Sequence, residues 1–394
     1  MEHAYDYLII GAGMAADAAA QAIHETDAQG CIGLVGAEPH PPYDRPPLSK
    51  ALWKPNADEA GIFRPIARTG AVLHLGRRAL ALDPVRHVVR DDAGDIYRYR
   101  KLLLATGSTP RRLPFGGDAV IYFRTLDDYR NLRARAQSGT HVAVIGGGFI
   151  GSEIAAALAM NGCRVTLLLP ERAIGARVFP AGLADAVTTC YRERGVEVRD
   201  GVSVTGAQER VDGLDLSLSD GRTLTAAVVV AGLGVTPNTQ LAADAGLAVD
   251  NGIVVDAYLQ SSVPDVYAAG DVAAFPNPAL GRRLRVEHEN AAITTGRHAG
   301  LAMVDKGEPC IELPFFYSDL FDLGYEAVGT LDARLHTVEQ WVRPFREGVV
   351  YYLDDGRVRG VLLWNTWGQV DHARALIAAA GPFDADNVRG RLPS

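Results

Sequence analysis

The chain has 394 residues, of which 48% are hydrophobic and 22% charged, with a formal net charge of −8. This is globular composition at a length that allows two or three domains, and the acidic balance argues against nucleic acid as a partner. No apolar run reaches the roughly 18 residues of a membrane span, and the chain enters its first strand within six residues, so no targeting peptide and a cytoplasmic location are expected.

In chain order, an apolar strand (5–10) runs into the turn Gly11-Ala12-Gly13-Met14-Ala15-Ala16, which opens a helix (14–24) and leads to a second strand (31–35). A polar, proline-rich stretch from Pro39 to Pro47 and a connecting region to about residue 70 follow. A strand near 71–75 and a hairpin-like stretch (85–100) lead into Lys101-Leu102-Leu103-Leu104-Ala105-Thr106-Gly107, a buried strand closed by a tight turn. A second unit then repeats the plan. Its strand (141–145) meets Gly146-Gly147-Gly148-Phe149-Ile150-Gly151-Ser152-Glu153, followed by a helix (149–161), a strand (163–169), a helix (180–194) and short strands ending at Val228-Val229-Val230-Ala231-Gly232.

Beyond it come Val266-Tyr267-Ala268-Ala269-Gly270-Asp271, a strand with a Gly-Asp end, and a helix (289–304). These return to first-unit material, so the second unit is read as nested within the first. The last 80 residues alternate apolar and polar; Asp354-Asp355-Gly356 marks a hairpin, a helix (369–380) closes the segment, and Gly381 to Ser394 is expected to be loosely ordered.

Each glycine turn has a physical purpose. Glycine lets a strand reverse sharply into a helix, a further glycine lets a pyrophosphate approach the backbone, and the helix N-terminus offers free N–H groups and a positive dipole end. One such turn is a weak signal; two, about a domain apart, predict two dinucleotide sites, a flavin beside a nicotinamide. The fold class expected is α/β: two Rossmann-like dinucleotide-binding domains, one nested in the other, plus a C-terminal α+β domain. The boundaries are 1–115 and 236–313 for the first dinucleotide-binding domain, 116–235 for the second and 314–394 for the C-terminal domain.

Four cysteines occur, Cys31, Cys163, Cys190 and Cys310, none in a C-x-x-C pair. Without a dithiol relay the flavin deals directly with its acceptor. Cys31 and Cys163 are expected to be core packing, and no metal-ligand spacing appears. Two basic clusters, Arg111-Arg112 and Arg282-Arg283 with Arg285, read as a solvated surface or as a docking patch for an acidic protein.

Across almost its whole length the chain resembles the NADH-dependent, FAD-containing reductases of the glutathione-reductase superfamily, within it the apoptosis-inducing factor branch, and more distantly the ferredoxin and rubredoxin reductases. The carriers are Pro42-Tyr43-Asp44-Arg45-Pro46-Pro47-Leu48-Ser49-Lys50, Ala105-Thr106-Gly107, the Gly146 to Glu153 turn and Ala268-Ala269-Gly270-Asp271. The branch is carried by Arg285-Val286-Glu287-His288-Glu289-Asn290, Tyr317-Ser318-Asp319-Leu320 and Gly324-Tyr325-Glu326-Ala327-Val328-Gly329.

The resemblance implies that FAD contacts Gly11, Gly13, Ala15, Ala16, Ala79, Thr106, Gly107, Gly270 and Asp271, with Asp271 taking a ribityl hydroxyl. It implies further flavin contacts at Arg45, Lys50, Arg124, His288, Glu289 and Tyr317, the last standing where the family has a tryptophan. It implies that the nicotinamide cofactor meets Gly147, Gly148, Phe149, Ile150, Gly234 and Glu287. Lys50 and Glu153 would form a buried ion pair beside flavin N5, where a fixed positive charge favours the reduced ring. With His288 they are the residues expected to act in the reaction. Phe149 is read either as a cover for the flavin face or as packing at the helix start. Glu38 is one place beyond the usual acid for the FAD ribose and is expected to serve instead.

The second unit's strand ends at Pro170-Glu171, and an acid there hydrogen-bonds ribose hydroxyls and repels a 2′-phosphate, which favours NADH over NADPH; Arg172 and Arg177 pull the other way. The expected reaction moves a hydride from NADH to flavin N5 and then electrons to a second acceptor. Three readings remain open: a slow oxidoreductase of the apoptosis-inducing factor type, using oxygen, a quinone-like compound or a protein; a reductase serving a ferredoxin or rubredoxin; and an NADH sensor that changes oligomeric state, with a homodimer as one such state. The apoptotic members' leader and regulatory insertion have no counterpart, so no apoptotic, DNA-binding or mitochondrial role is carried over.

Overall fold

The computed structural model describes residues 1–393. The chain divides into two compact units: Met1–Asp44, Asp58–Thr109 and Thr236–Pro314 form one, while Arg45–Ala57, Pro110–Val235 and the chain from Phe315 onward form the other.

The first unit is built on a seven-stranded sheet. Its order is Val72–Leu75, Ile32–Gly36, Glu2–Ile10, Ile96–Leu104, Val88–Asp91, Ala79–Asp83, with Val266–Ala268 also pairing on Ile96–Leu104. The strands around Glu2–Ile10 and Ile96–Leu104 are parallel, and Leu8, Ile9, Leu34, Leu102 and Leu103 on them are buried, as a two-sided parallel sheet requires. The hairpin-like stretch is a three-stranded antiparallel meander, whose last strand continues into the buried Leu102–Leu104 run.

Helix Met14–Thr26 packs against helix Glu289–Met303 at unusually short range. A Cβ on Gly296 would lie 2.3 Å from the Ala15 carbonyl oxygen, and one on Gly300 2.5 Å from that of Ala19. Only glycine permits this approach, and Thr295 beside it accepts the Gly270 N–H at 2.9 Å.

The second unit holds a five-stranded parallel sheet in the order Glu197–Arg199, Arg164–Leu168, His141–Ile145, Val228–Ala231, Val120–Tyr122. A three-stranded antiparallel sheet (Val204–Arg210, Gly213–Leu218, Thr223–Ala226) adjoins it in the chain. A five-stranded antiparallel sheet follows in the order Phe315–Leu320, Leu323–Gly329, Arg357–Trp364, Glu347–Asp354, His336–Arg343. Its core is aromatic: Tyr325 stacks on Trp364 at 5.6 Å and Phe179 meets both edge-on. The hairpin turn falls at Asp355 and Gly356, both left-handed, as an Asp-Gly turn between twisted strands requires.

Residues 45–57 belong with the second unit because they pack there. Tyr129 Oη donates to the Leu52 carbonyl at 3.0 Å, Asn161 Nδ2 donates to the Trp53 carbonyl at 3.0 Å, and Trp53 meets Tyr129 edge-on at 5.7 Å.

Two expectations are corrected. Cys31 is exposed: it ends the turn before strand Ile32–Gly36, its N–H bound to the Asp6 carboxylate at 3.0 Å, so burial begins one residue later. The segment after Gly381 is ordered by a helix, Ala385–Val388, capped by Asp384 and Asn387, with Val388 and Leu392 buried; Ser394 lies outside the described residues.

Candidate functional site

The two glycine turns share one geometry. Gly11 (φ 125°) and Gly146 (φ 109°) are both left-handed. A Cβ on the first would sit 2.1 Å from the Ala105 carbonyl oxygen, and on the second 2.4 Å from that of Gly232. Gly13 and Gly148 are the N-caps of their helices, extended, with no side chain capping the free N–H groups. A Cβ on either would meet nothing within 4 Å, so the space before each helix is open. Open backbone, uncapped N–H groups and a helix N-terminus are what a pyrophosphate needs, so both turns fit a dinucleotide. Gly107 (φ 66°) and Gly234 (φ 78°) also occupy matching places, two residues beyond Ala105 and Gly232, each with open space where a side chain would be. Ala15 and Ala16 are buried in the first turn of their helix, and Gly147 is tight against Leu169.

In the first unit, Ser108 Oγ donates to Asp271 Oδ2 at 2.6 Å, and Arg285 Nη1 donates to the Asp271 carbonyl at 3.2 Å. Gly270 (φ 74°) supplies the left-handed turn before Asp271, with Ala15 Cβ 3.1 Å from where its own Cβ would be. Thr106 Oγ1 donates to the Asn238 carbonyl at 2.8 Å, so its hydroxyl is engaged. Glu287 pairs with Arg285 at 2.6 Å, His288 is the N-cap of helix Glu289–Met303, and Glu289 begins that helix. Glu38 accepts from Tyr43 Oη at 2.5 Å, and Ala79 opens strand Ala79–Asp83. Sequence reasoning missed Arg64, which joins the buried Asp17 (Nε to Oδ2, 2.6 Å) to Asp44 (Nη1 to Oδ1, 2.6 Å).

In the second unit, Glu153 is a buried carboxylate with three donors. Lys50 Nζ (2.7 Å) and Ser49 Oγ (2.5 Å) reach Oε2, and Ser318 Oγ (2.6 Å) reaches Oε1. The expected Lys50–Glu153 pair is therefore formed; the two serines were not anticipated, although both lie inside quoted motifs. Tyr317, 38% exposed, presents its ring 5.3 Å from Lys50 Nζ. Buried Tyr191 and Tyr325 have phenol pKa values held well above 10, first by desolvation and then by the Glu153 charge. Phe149 packs edge-on against Phe316 at 5.2 Å, and Ile150 is exposed. Arg45 Nη1 donates to the Arg124 carbonyl at 2.9 Å. Glu171 is held by Arg177 at 2.5 Å.

The basic clusters are largely engaged. Arg283 donates to the Val255 and Ala274 carbonyls, Arg285 is bound as above, and Arg112 pairs with Asp118 at 3.2 Å. All four cysteines are free, and burial pushes the Cys310 thiol up to about 12 and raises those of Cys163 and Cys190. Such thiols are poor nucleophiles. Among the described residues no helix is long and apolar enough to cross a membrane.

Residues 5–296 match the model of the pyridine nucleotide-disulphide oxidoreductase family. The chain is 37% identical over 392 residues to the ferredoxin–NAD(+) reductase component of the anthranilate 1,2-dioxygenase system of Burkholderia cepacia, covering 97% of this chain and 96% of that one. It is 33% identical to the mitochondrial apoptosis-inducing factor 1 of Dictyostelium discoideum, covering 96% and 80%. The structure of the covalent putidaredoxin reductase–putidaredoxin complex matches with a TM-score of 0.89 at 31% identity, covering 95% of this chain and 93% of that one. The chain is thus an enzyme that uses FAD and NAD(H), a flavoprotein oxidoreductase belonging to the pyridine nucleotide-disulphide oxidoreductase family.

Proposed function

We propose that this FAD-dependent NADH oxidoreductase passes its electrons to a small ferredoxin-type protein. The observation that carries the reading is the full-length match to a ferredoxin–NAD(+) reductase component, which leaves no large segment of either chain unmatched. The inert buried thiols support it, since a direct flavin-to-acceptor route needs no dithiol.

Bound FAD supplies the hydride acceptor for NADH; the chain's residues bind, orient and exclude water. The 1–115 and 236–313 segments are assigned to FAD, with Gly11 and Gly13 opening the turn to its pyrophosphate and Asp271, bound by Ser108, at its ribityl chain. The 116–235 segment is assigned to NADH, through the open Gly148 turn, Phe149, Ile150 and Gly234, with Glu171 on the adenosine ribose. The 314–394 segment completes the chain as the C-terminal domain. Lys50, held by Glu153, is assigned to the flavin, together with Arg45, Arg124, Ala79, Glu38, His288, Glu289 and Tyr317. Glu287, anchored by Arg285, is assigned to the nicotinamide end.

A second reading, slow transfer to oxygen or a quinone-like compound, is favoured by the match to apoptosis-inducing factor 1. The test is to reduce the holoenzyme with NADH without oxygen, then add either a ferredoxin, a rubredoxin or air. Fast reoxidation by ferredoxin alone supports the proposal. Equal rates with all three, or a reduced enzyme indifferent to ferredoxin, would overturn it. Elution volume with and without NADH tests the homodimer: an unchanged monomeric volume rejects it.

A further inference from the structure

The second unit joins three separate elements at one buried carboxylate. Glu153 comes from helix Phe149–Met160, Ser49 and Lys50 from the short helical turn at Pro46–Ser49 and its end, and Ser318 from strand Phe315–Leu320. An ionised carboxylate accepts hydrogen bonds on both oxygens and donates none. Here Oε2 takes Lys50 and Ser49, and Oε1 takes Ser318, so each oxygen is bound from a different side. Ser49 has only a long alternative, the Pro46 carbonyl at 3.5 Å. Ser318 also shares a hydrogen bond with the Tyr325 phenol, and its short contact is the one to Glu153.

An ammonium on a four-carbon stem is a mobile charge. It is fixed only as well as its partner is fixed, and a lone carboxylate rotates about its own side-chain bonds. We propose that Ser49 and Ser318 are positioning residues that lock the Glu153 carboxylate, and through it the Lys50 ammonium, at one place beside the bound flavin. Ser318 does this twice over, because the strand it pins also carries Tyr317, whose ring lies 5.3 Å from Lys50 Nζ. The surrounding groups leave the charge pattern simple: Tyr191 from helix Ala181–Glu193 and Tyr325 from strand Leu323–Gly329 are buried phenols that stay neutral, since burial and the Glu153 charge both oppose their ionisation. The field at the flavin is then set by where the Lys50–Glu153 pair is held.

This inference rests on the assignment of Lys50 to the flavin, and the experiment separates the two. The midpoint potential of the bound flavin is measured in the holoenzyme for Lys50→Met, Ser49→Ala, Ser318→Ala, the double serine variant and Ser318→Thr, with thermal melting of each. Removing the positive charge lowers the potential in Lys50→Met. Each serine variant is expected to give part of that fall, the double variant more than either, and Ser318→Thr, which keeps the hydroxyl, to return towards the native value. A shifted potential in Lys50→Met beside native values in both serine variants overturns the serine assignment alone. Native values in all variants overturn the placement of Lys50 at the flavin and the serine assignment with it. Loss of melting temperature at native potential means that the serines only hold the fold together, and also overturns the proposal.

Discussion

The two glycine turns are the same device built to different tolerances. In each, the residue just past a neighbouring parallel strand sends its backbone N–H to the end of the turn's own strand: Ala105 to Ile10 and Gly232 to Ile145, both at 2.8 Å. In each, the first glycine faces that neighbour's carbonyl. The difference lies in two paired positions. The first turn uses Ala16 and Ala105; the second uses Gly151 and Gly232. A Cβ on Gly151 would lie 1.8 Å from the Gly146 carbonyl oxygen, and one on Gly232 2.9 Å from Gly151 N. The second helix thus starts too close to Gly232 and to its own turn for a methyl group at either position. The third fingerprint glycine serves helix–strand packing, and it is needed only where the opposite strand is equally bare.

The comparison breaks most visibly at the first glycines. Gly11→Ala places a methyl in the left-handed region and against a backbone carbonyl. The combined cost is about 3 kcal/mol or more, and the variant is expected to purify without FAD, read as loss of its visible absorbance. Gly151→Ala is expected to act on the other cofactor: FAD stays bound, and reduction by NADH in a stopped-flow experiment is lost. The reverse change in the first turn, Ala16→Gly, leaves a small void and a floppier helix start and is expected to cost only about 1 kcal/mol. If Gly151→Ala and Ala16→Gly proved equally mild, the two turns would not differ in packing as argued.

Below the turns, the units also differ in how they hold buried charge. Asp17, on the first turn's helix, is neutralised by Arg64, whose other end is held by Asp44. Glu153, on the second turn's helix, is neutralised by a lysine and two hydroxyls. Arg64→Met strands a buried carboxylate and is expected to cost about 3 kcal/mol in urea unfolding. Asp17→Asn in the same background relieves the stranded charge, so it is expected to recover part of that loss.

These contrasts mark what one-dimensional reading reaches. The strands His141–Ile145 and Val228–Ala231, and both turns, were legible because their signals are local: an apolar run, then glycines at fixed offsets. The meander, the exposure of Cys31 and the capped C-terminal helix were not, because each depends on which residues pack behind a short segment. The Lys50–Glu153 pair was reached only through the resemblance. Ser49 and Ser318 stand 104 and 165 residues from Glu153, and no pattern in the chain links them. Arg64 was missed for the same reason, since its partners lie 47 and 20 residues away.

The last contrast concerns the acids that follow the second strand of each nucleotide motif. Glu38 is held by a neutral tyrosine hydroxyl, whereas Glu171 is held by the exposed guanidinium of Arg177. That guanidinium is the group a 2′-phosphate would seek, and Glu171 occupies it while repelling the phosphate directly. Glu171→Ala therefore removes a repulsion and frees an attraction together. The NADH over NADPH preference in kcat/KM is expected to fall by roughly tenfold, about 1.4 kcal/mol. Adding Arg177→Ala separates the two contributions. If the double variant regains most of the preference, the freed arginine was the larger part; if it stays as permissive as the single variant, repulsion by Glu171 was. An unchanged preference in Glu171→Ala removes the acid from the specificity argument altogether.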